Sequence, residues 1–479
     1  MKWTTGQKFL LLVVLVGNAI AWLIPSDVVE LIARDRQTLL GRYSRTQMAW
    51  LLALLPISAL VLHIALGTTV EVRKRRLFRA AAVLLVLVPT VFAVDVALRF
   101  KKDWGYVLDG IAYHRSPDRT LRGEFIDRPQ AVRTYPNPAG GYERIEWTLT
   151  TDHRGFRNAT TPEQCDNIAL GDSFTEGSQV SDDQVWTTRF TEHAAAPMYN
   201  LGVSGYAPQN SAEALRKFGL PLKPQRVFFV LYEGNDFGQA KIQAKAPSEW
   251  GRFFKQSPLV DWLDQLLIDH LAPIGAHANV KGLEVVAWQP IAYPPGPDAR
   301  YYAFPPSFLT NAYVTADEFA ADKRTRNIGR LLEDMQSMCK QAGATLVVVF
   351  APSKPHVVLP LVSDQLPAEN VRAFTALRSN RKLPPPAEFL PRLLAGLDVP
   401  EAATVKCCAE RNIPMISLTD AMRDAVRTGR QPYFSYNAHW TPQGHEIAGQ
   451  VVADAVKGWA ATDTTLPSDV HAAGASTQP

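Results

Sequence analysis

Four short blocks in this 479-residue chain carry side chains able to act together on a carbonyl centre. The first is Gly171-Asp172-Ser173-Phe174, which follows the apolar Ile168-Ala169-Leu170 and precedes Thr175-Glu176-Gly177. A serine on a tight strand-to-helix turn exposes its hydroxyl at a sheet's edge, where its own backbone N–H can help hold an oxyanion. The second, Asn200-Leu201-Gly202-Val203-Ser204-Gly205-Tyr206, is a strand running into a glycine turn. Gly205 can offer another backbone N–H with no side chain blocking access. The third, Glu233-Gly234-Asn235-Asp236, closes the most hydrophobic strand, Val227 to Tyr232. An Asn amide there is a neutral donor suited to an oxyanion. The fourth runs from Asn437 through Ala438, His439 and Trp440 to His445, just before the last helix. From that position His439 can serve as general base toward Ser173. His445, at the helix start, reads as structural. Taken singly, each block is an ordinary turn.

The elements that must position these blocks alternate. Short apolar strands at Ile168–Leu170, Met198–Leu201, Val227–Tyr232, Thr345–Phe350 and, more weakly, Ile413–Leu418 are separated by helical stretches at Asn210–Phe218, Thr325–Gln341 and Gly444–Trp459. That alternation implies a parallel sheet covered on both faces. Ligands of such sheets sit at the carboxyl ends of the strands, where all four blocks fall. Residues 101–160 read as a linker with a small β-rich lead-in, including a strand at Glu143–Leu149. Residues 237–324 form a long insertion. Within it, Trp288–Phe308 is dense in proline and aromatics and reads either as a lip for stacking sugar rings or as a stiff loop packed on the domain. Residues 362–396, with Pro384-Pro385-Pro386, read as a semi-rigid connection, and 461–479 as a disordered tail.

In this order and on these elements, the four blocks resemble the SGNH (GDSL-type) hydrolase superfamily, named for Ser, Gly, Asn and His. The resemblance spans about residues 161–460. It implies an α/β, flavodoxin-like three-layer sandwich, here preceded by an N-terminal transmembrane helical region. It also implies Ser173 as nucleophile, His439 as base, and an oxyanion hole of Ser173 N–H, Gly205 N–H and the Asn235 side chain. Gly171, Asp172, Asp236 and Trp440 would support them. The lead-in Thr151-Asp152-His153-Arg154-Gly155-Phe156-Arg157 looks like one seen in membrane-linked members. The His-Trp pair followed by Pro and Gly is similar to the alginate O-acetyltransferase-like branch, which acts on exported polysaccharides. One departure matters: the superfamily usually places an Asp two or three residues before the His, and here Asn437 and Tyr436 stand there. In the serine-protease template, replacing the buried Asp by Asn lowers kcat by about 10⁴. Three accounts are open: Asn437 orients His439 through its amide oxygen, a carboxylate from elsewhere substitutes, or the copy is catalytically weak.

The apolar runs concentrate in residues 1–100. Phe9–Ile24 is uncharged for 16 residues, Met48–Gly67 for 20, and Ala80–Leu98 carries only Asp95. Crossing the hydrocarbon takes about 20 apolar residues, so two or three spans are expected at about 9–24, 48–67 and 80–98. The first doubles as a signal sequence, with Ala19-Ile20-Ala21 as a cleavage site. The basic cluster Arg73-Lys74-Arg75-Arg76 with Arg79 is placed in the cytoplasm as the densest one, although Arg34, Arg36, Arg42 and Arg45 in the preceding loop argue the other way and nearly balance it. This sends everything after about residue 100 to the periplasm or cell exterior of a bacterial inner membrane. Asp95 is expected to reach the interface, and His63 to face a neighbouring helix. With 50 Lys+Arg against 46 Asp+Glu, the net charge of +4 is too small for a nucleic-acid binder. Cys165, Cys339, Cys407 and Cys408 form no metal-ligand spacing, and the chemistry needs no metal or other cofactor.

The reading is a membrane-anchored serine esterase acting on O-acyl bonds of a cell-envelope glycan or lipid. Two rivals remain: a polysaccharide O-acetyltransferase using the same Ser-His site, and a non-catalytic glycan-holding scaffold. An envelope polysaccharide-export or acyl-donor membrane protein is the expected partner class.

Overall fold

A computed structural model of the chain describes residues 4–24, 38–40, 43–101, 105–127, 143–242, 257–271, 277–280, 283–286, 289–296, 299–304, 306–376, 379, 382–457 and 459. The tail expected to be disordered lies outside them. The chain divides into two compact units.

The first unit holds Met1–Asp103, Gln130–Arg133 and Pro247–Asn279. Its three helices, α1 (Thr5–Leu23), α2 (Arg45–Ala65) and α3 (Val70–Lys101), are each long and apolar enough to cross a membrane. Their central stretches are apolar on most sides, with Leu15, Leu55, Leu85 and Val86 left exposed, the pattern of a lipid-facing helix. Polar side chains tie α1 to α2: Asn18 Nδ2 donates to Ser58 Oγ (2.9 Å) and Gln7 Nε2 to Ala65 O (2.9 Å). The basic cluster expected in a loop instead forms the first turns of α3, because a helix continues through charged residues that an apolar window excludes. A further helix, Pro258–Leu271, belongs to this unit although it comes from the insertion.

The second unit begins with two antiparallel hairpins, β1 (Tyr106–Asp109) with β2 (Ala112–Arg115), and β3 (Thr120–Ile126) with β4 (Arg144–Thr150). The described residues 105–127 and 143–160 of the segment expected to be a linker are therefore built into this unit. Next come the sheet strands β5 (Asn167–Leu170), β6 (Met198–Asn200) and β7 (Arg226–Tyr232). A hairpin of β8 (Gln289–Tyr293) and β9 (Arg300–Phe304) follows, then β10 (Thr345–Ala351) and β11 (Met415–Ser417). The five sheet strands are all parallel, in the order β11-β10-β7-β5-β6. Successive residues point to opposite faces of a strand, and here both faces are buried. Phe228, Val230, Val347 and Val349 join Trp186, Phe190, Met422 and Val452 on one side. Val227, Phe229, Leu346 and Val348 join Ile328, Leu332 and Met335 on the other. The result is the expected three-layer sandwich in flavodoxin-like strand order, whose switch point lies between β5 and β7.

One reading of the sequence is corrected, and one pair of alternatives is decided for the loop packed on the domain. Residues 362–396 are no spacer: helices Ala368–Ala376 and Pro386–Leu397 bury Phe374, Phe389, Leu393 and Leu397 in the core. Pro386 takes the first helical position, where its missing N–H costs nothing. In the β8–β9 hairpin, Tyr302 and Phe304 are fully buried, so these rings pack on the domain and present no stacking lip. Trp288 lies outside the described residues.

Candidate active site

The register of the sheet brings the blocks together. Leu170 of β5 pairs with Phe229 of β7, and Ala169 with Asn200 of β6, so the turns after three adjacent strands open on one edge. Ser173 starts a one-turn helix, Ser173–Glu176, at the switch point. Gly171 precedes it at φ +156°, and a Cβ there would lie 2.3 Å from Thr175 Oγ1. Only glycine lets the chain turn that tightly. Asp172 caps the helix through Phe174 N (2.9 Å) and accepts from Asn235 Nδ2 (3.0 Å) with its other oxygen. Because a carboxylate only accepts, this contact fixes the Asn235 amide with its NH₂ toward Asp172 and leaves one N–H to spare. Burial pushes Asp172 up to about 6. Asp236 reaches back to accept from Tyr232 N (2.8 Å), and burial, together with the Asp172 charge, holds it well above the usual carboxylate range.

Gly205 sits at φ +84° in the turn after β6. Its N–H and that of Ser173 have no acceptor among the described residues. That turn is held by Glu176, which accepts from Ser204 N (3.2 Å) and Ser204 Oγ and is gripped by Arg115 at 2.5 and 2.8 Å. Arg115 comes from β2, in the supposed linker. Arg157, the last residue of the lead-in motif, is buried and fully spent. It donates to Asp182 Oδ1 (2.8 Å), Glu176 O (3.0 Å), Gly177 O, Thr148 O (2.8 Å) and Val180 O (2.7 Å). It thereby clamps the end of the serine helix.

His439 arrives from the loop before the final helix, Pro442–Val456. Its Nε2 lies 2.7 Å from Ser173 Oγ and its Nδ1 lies 2.5 Å from Asn437 Oδ1. The backbone N–H of His439 also donates to Asn437 Oδ1, at 2.9 Å. A backbone N–H can only donate, so the amide atom facing the histidine is the oxygen. An oxygen acceptor in turn requires the proton on Nδ1, which leaves the Nε2 lone pair toward the serine hydroxyl. Burial and the nearby Lys354 cation push the imidazole down to about 4, so it is neutral at pH 7. Phe174 lies against the ring at 5.0 Å, and Trp440, fully buried, packs edge-on against Phe174. His445 is buried in a structural contact, its Nδ1 3.3 Å from Trp186 N.

Three further groups were not legible as site residues. Asp127, at the end of β3, accepts from the consecutive backbone N–H groups of Ser435 (2.5 Å), Tyr436 (3.0 Å) and Asn437 (3.1 Å). This buried carboxylate thus holds the histidine loop from beneath, and its own contacts are to the backbone. Lys354 lies alongside with its Nζ on Ala303 O (2.7 Å) and Ser435 O (3.0 Å), and burial pushes it down to about 7. His356 is wedged between Glu233 (3.0 Å) and Asp398 (3.0 Å). Burial disfavours its cation, but these carboxylates and Glu401 outweigh that and hold it near 10. Glu233 also accepts from Ser353 N (2.6 Å), which anchors the strand end that presents Asn235. Asp127 and Ser435 are 308 residues apart, so no spacing pattern links them.

A model of the GDSL-like lipase/acylhydrolase family matches residues 169–447, more than half of the chain. Among solved structures, a lipase/acylhydrolase from Enterococcus faecalis is 13% identical, with 61% of this chain and 94% of that one covered at a TM-score of 0.29. A protein of the lipolytic G-D-S-L family from Veillonella parvula is 11% identical, with 60% and 97% covered at 0.30. An extracellular lipase from Streptomyces rimosus is 12% identical, with 61% and 99% covered at 0.30. No curated protein matches the chain.

Proposed function

Since the chain belongs to the GDSL-like lipase/acylhydrolase family, we propose that it is a membrane-anchored serine esterase that cleaves O-acyl esters of a cell-envelope carbohydrate or lipid on the outer side of the inner membrane. One observation carries this reading: an unbroken relay from Ser173 Oγ through His439 Nε2 and Nδ1 to Asn437 Oδ1, at 2.7 and 2.5 Å. In it, His439 takes the Ser173 proton as Oγ attacks the ester carbonyl, a step worth about 10²–10⁴ in rate. The tetrahedral oxyanion is received by the free N–H groups of Ser173 and Gly205 and by the spare N–H of Asn235, each such donor contributing about 2.7–4 kcal/mol. His439 then passes the proton to the leaving alkoxide, and the acyl group stays on Ser173. Water entering on the same histidine releases the acid.

Asn437 does the orienting part of the missing Asp's work, because its oxygen selects the tautomer. What it lacks is the charge that stabilises the imidazolium. The test is turnover of p-nitrophenyl acetate and labelling by a fluorophosphonate, using the full chain in detergent. Both are expected in the native protein and neither in Ser173→Ala. A native protein that does neither would overturn the enzyme reading and favour a glycan-holding scaffold. Acyl transfer to an added oligosaccharide in place of acid release would make it an O-acyltransferase.

A further inference from the structure

Among the described residues, the Pro258–Leu271 helix leaves four of its apolar side chains largely without protein cover. Val260 is 60% exposed, Trp262 63%, Leu263 43% and Leu266 39%. In sequence, Leu259, Val260, Trp262, Leu263, Leu266, Leu267 and Leu271 fall on one half of the helical wheel, interrupted by His270, and Asp261, Asp264, Gln265 and Asp269 on the other, with Ile268 among them. Within the first unit, both ends of this helix are fixed to the membrane helices. At its N-terminus, Ser257 Oγ accepts from Val260 N (3.1 Å) and donates to Asp95 Oδ1 of α3 (2.6 Å), which also accepts from Leu259 N (3.2 Å). Asp95 is held in turn by Arg99, one turn further along α3, at 2.5 and 2.8 Å. Ten residues on, Leu267 packs against Met48 at the start of α2, next to Tyr43.

The end of α3 and the start of α2 lie at the same end of the bundle. So does the end of α1, since Gln47 Nε2 donates to Ile24 O (2.9 Å) and Tyr43 OH to Trp22 O (3.2 Å). A helix bridging from α3 to α2 at that level crosses the bundle and does not run along it. The same level carries a set of aromatic residues: Trp22 stacked edge-on with Tyr43 at 5.5 Å, and Trp50, which is 74% exposed. Trp and Tyr gather at the membrane–water interface because the ring is apolar and the N–H or O–H is polar. Trp262 adds a further ring to this set.

We propose that Pro258–Leu271 is an interfacial helix, lying in the plane of the bilayer with Val260, Trp262, Leu263 and Leu266 inserted among the lipids. The occupant of the exposed face is lipid because the face continues the lipid-facing surface of α1–α3, to which its two ends are joined. An amphipathic helix of this kind buries its apolar side about 5–10 Å into the headgroup–acyl boundary. The insertion therefore leaves the hydrolase unit, returns to the membrane, and goes back. The chain thus passes between the two units at 246–247 and 279–280 as well as after α3. This proposal rests on the membrane-anchored reading above.

The test uses the full chain with Cys407→Ser, the other cysteines being buried, reconstituted in phosphatidylcholine vesicles with or without brominated lipid. A polarity-sensitive dye is placed on Val260→Cys, Trp262→Cys or Leu266→Cys, with Asp261→Cys as the opposite face and Leu85→Cys as the membrane-centre control. Any one of the three apolar positions suffices if another variant misfolds. The expected result is loss of about half the emission or more at the apolar positions and at 85, with little at 261, as burial to interfacial depth requires. Quenching at 85 but not at the apolar positions would overturn the interfacial helix and leave the membrane anchor standing. Unquenched apolar positions that cross-link between copies would replace lipid by a second copy of the chain. No quenching at 85 would remove the anchor itself, and the proposal with it.

Discussion

Replacing Asn437 by Asp isolates what the amide lacks. Asn437 Oδ1 already accepts from His439 Nδ1 at 2.5 Å and from His439 N at 2.9 Å, so an isosteric carboxylate keeps both contacts and adds only a charge. At about 5 Å between charge centres and an effective dielectric near 20, that charge favours the imidazolium by about 3 kcal/mol. His439, pushed down to about 4 in the native protein, would then rise by about two on the pH scale, to about 6. The base works only when neutral, so the acid limb of kcat/KM moves upward from about 4 to about 6. At pH 7 the imidazole is still mostly neutral, and the same 3 kcal/mol stabilises the imidazolium of the transition state, raising kcat by about 10². This is less than the 10⁴ of the protease template, where the amide also spoils the tautomer; here the tautomer is already right. The cost falls on stability, because the new carboxylate sits beside Asp127, which accepts the N–H of the same residue at 3.1 Å. The assay is p-nitrophenyl acetate hydrolysis from pH 4 to pH 9 by both proteins, with melting temperatures alongside. Asp172, at about 6, contributes to both profiles, so the difference between them reports His439. Superimposable profiles with equal kcat would refute the proposed role of Asn437 against the His439 imidazole.

Asp127→Asn offers one acceptor oxygen where three backbone N–H groups bind. An unpaired buried group costs about 1–3 kcal/mol, and a histidine displaced by about 1 Å costs up to about 10² in rate. Asp127→Asn should therefore lower the fluorophosphonate labelling rate of Ser173 beyond any loss in melting temperature; a rate that merely tracks stability would deny the positioning role. Gly171→Ala drives a Cβ to 2.3 Å from Thr175 Oγ1 and 3.2 Å from Val230 Cβ. Overpacking of about 1–3 kcal/mol should appear as a fall in kcat with little change in KM, and an unaffected kcat would show that the turn has slack. Arg157→Met strips the donor from four carbonyls and Asp182, at about 3–5 kcal/mol, read as a lower denaturation midpoint. Arg157→Lys should fail to rescue it, because a single ammonium cannot reach five acceptors.

The parts of this protein that local sequence determined are those set by local backbone geometry. An apolar run short enough for a strand, followed by glycine and a polar residue, specifies a strand ending in a tight turn. Such a run therefore located β5, β6 and β7 together with Ser173, Gly205 and Asn235. Runs of about 20 apolar residues specify helices that satisfy their own backbone in lipid, which located α1–α3. Tertiary structure decided everything that depends on which distant segments meet. The 101–160 segment looked like a linker because Asp127 and Arg115 have no local partner; their partners are Tyr436 and Glu176, 309 and 61 residues away. The stretch at 362–396 looked like a spacer because proline at a helix start and proline in a connection are the same letters. Whether Asn437 was a defect or an acceptor depended on which way its amide faces. That was fixed by the backbone N–H of His439 two residues on, once the loop had been folded over the carboxylate of Asp127.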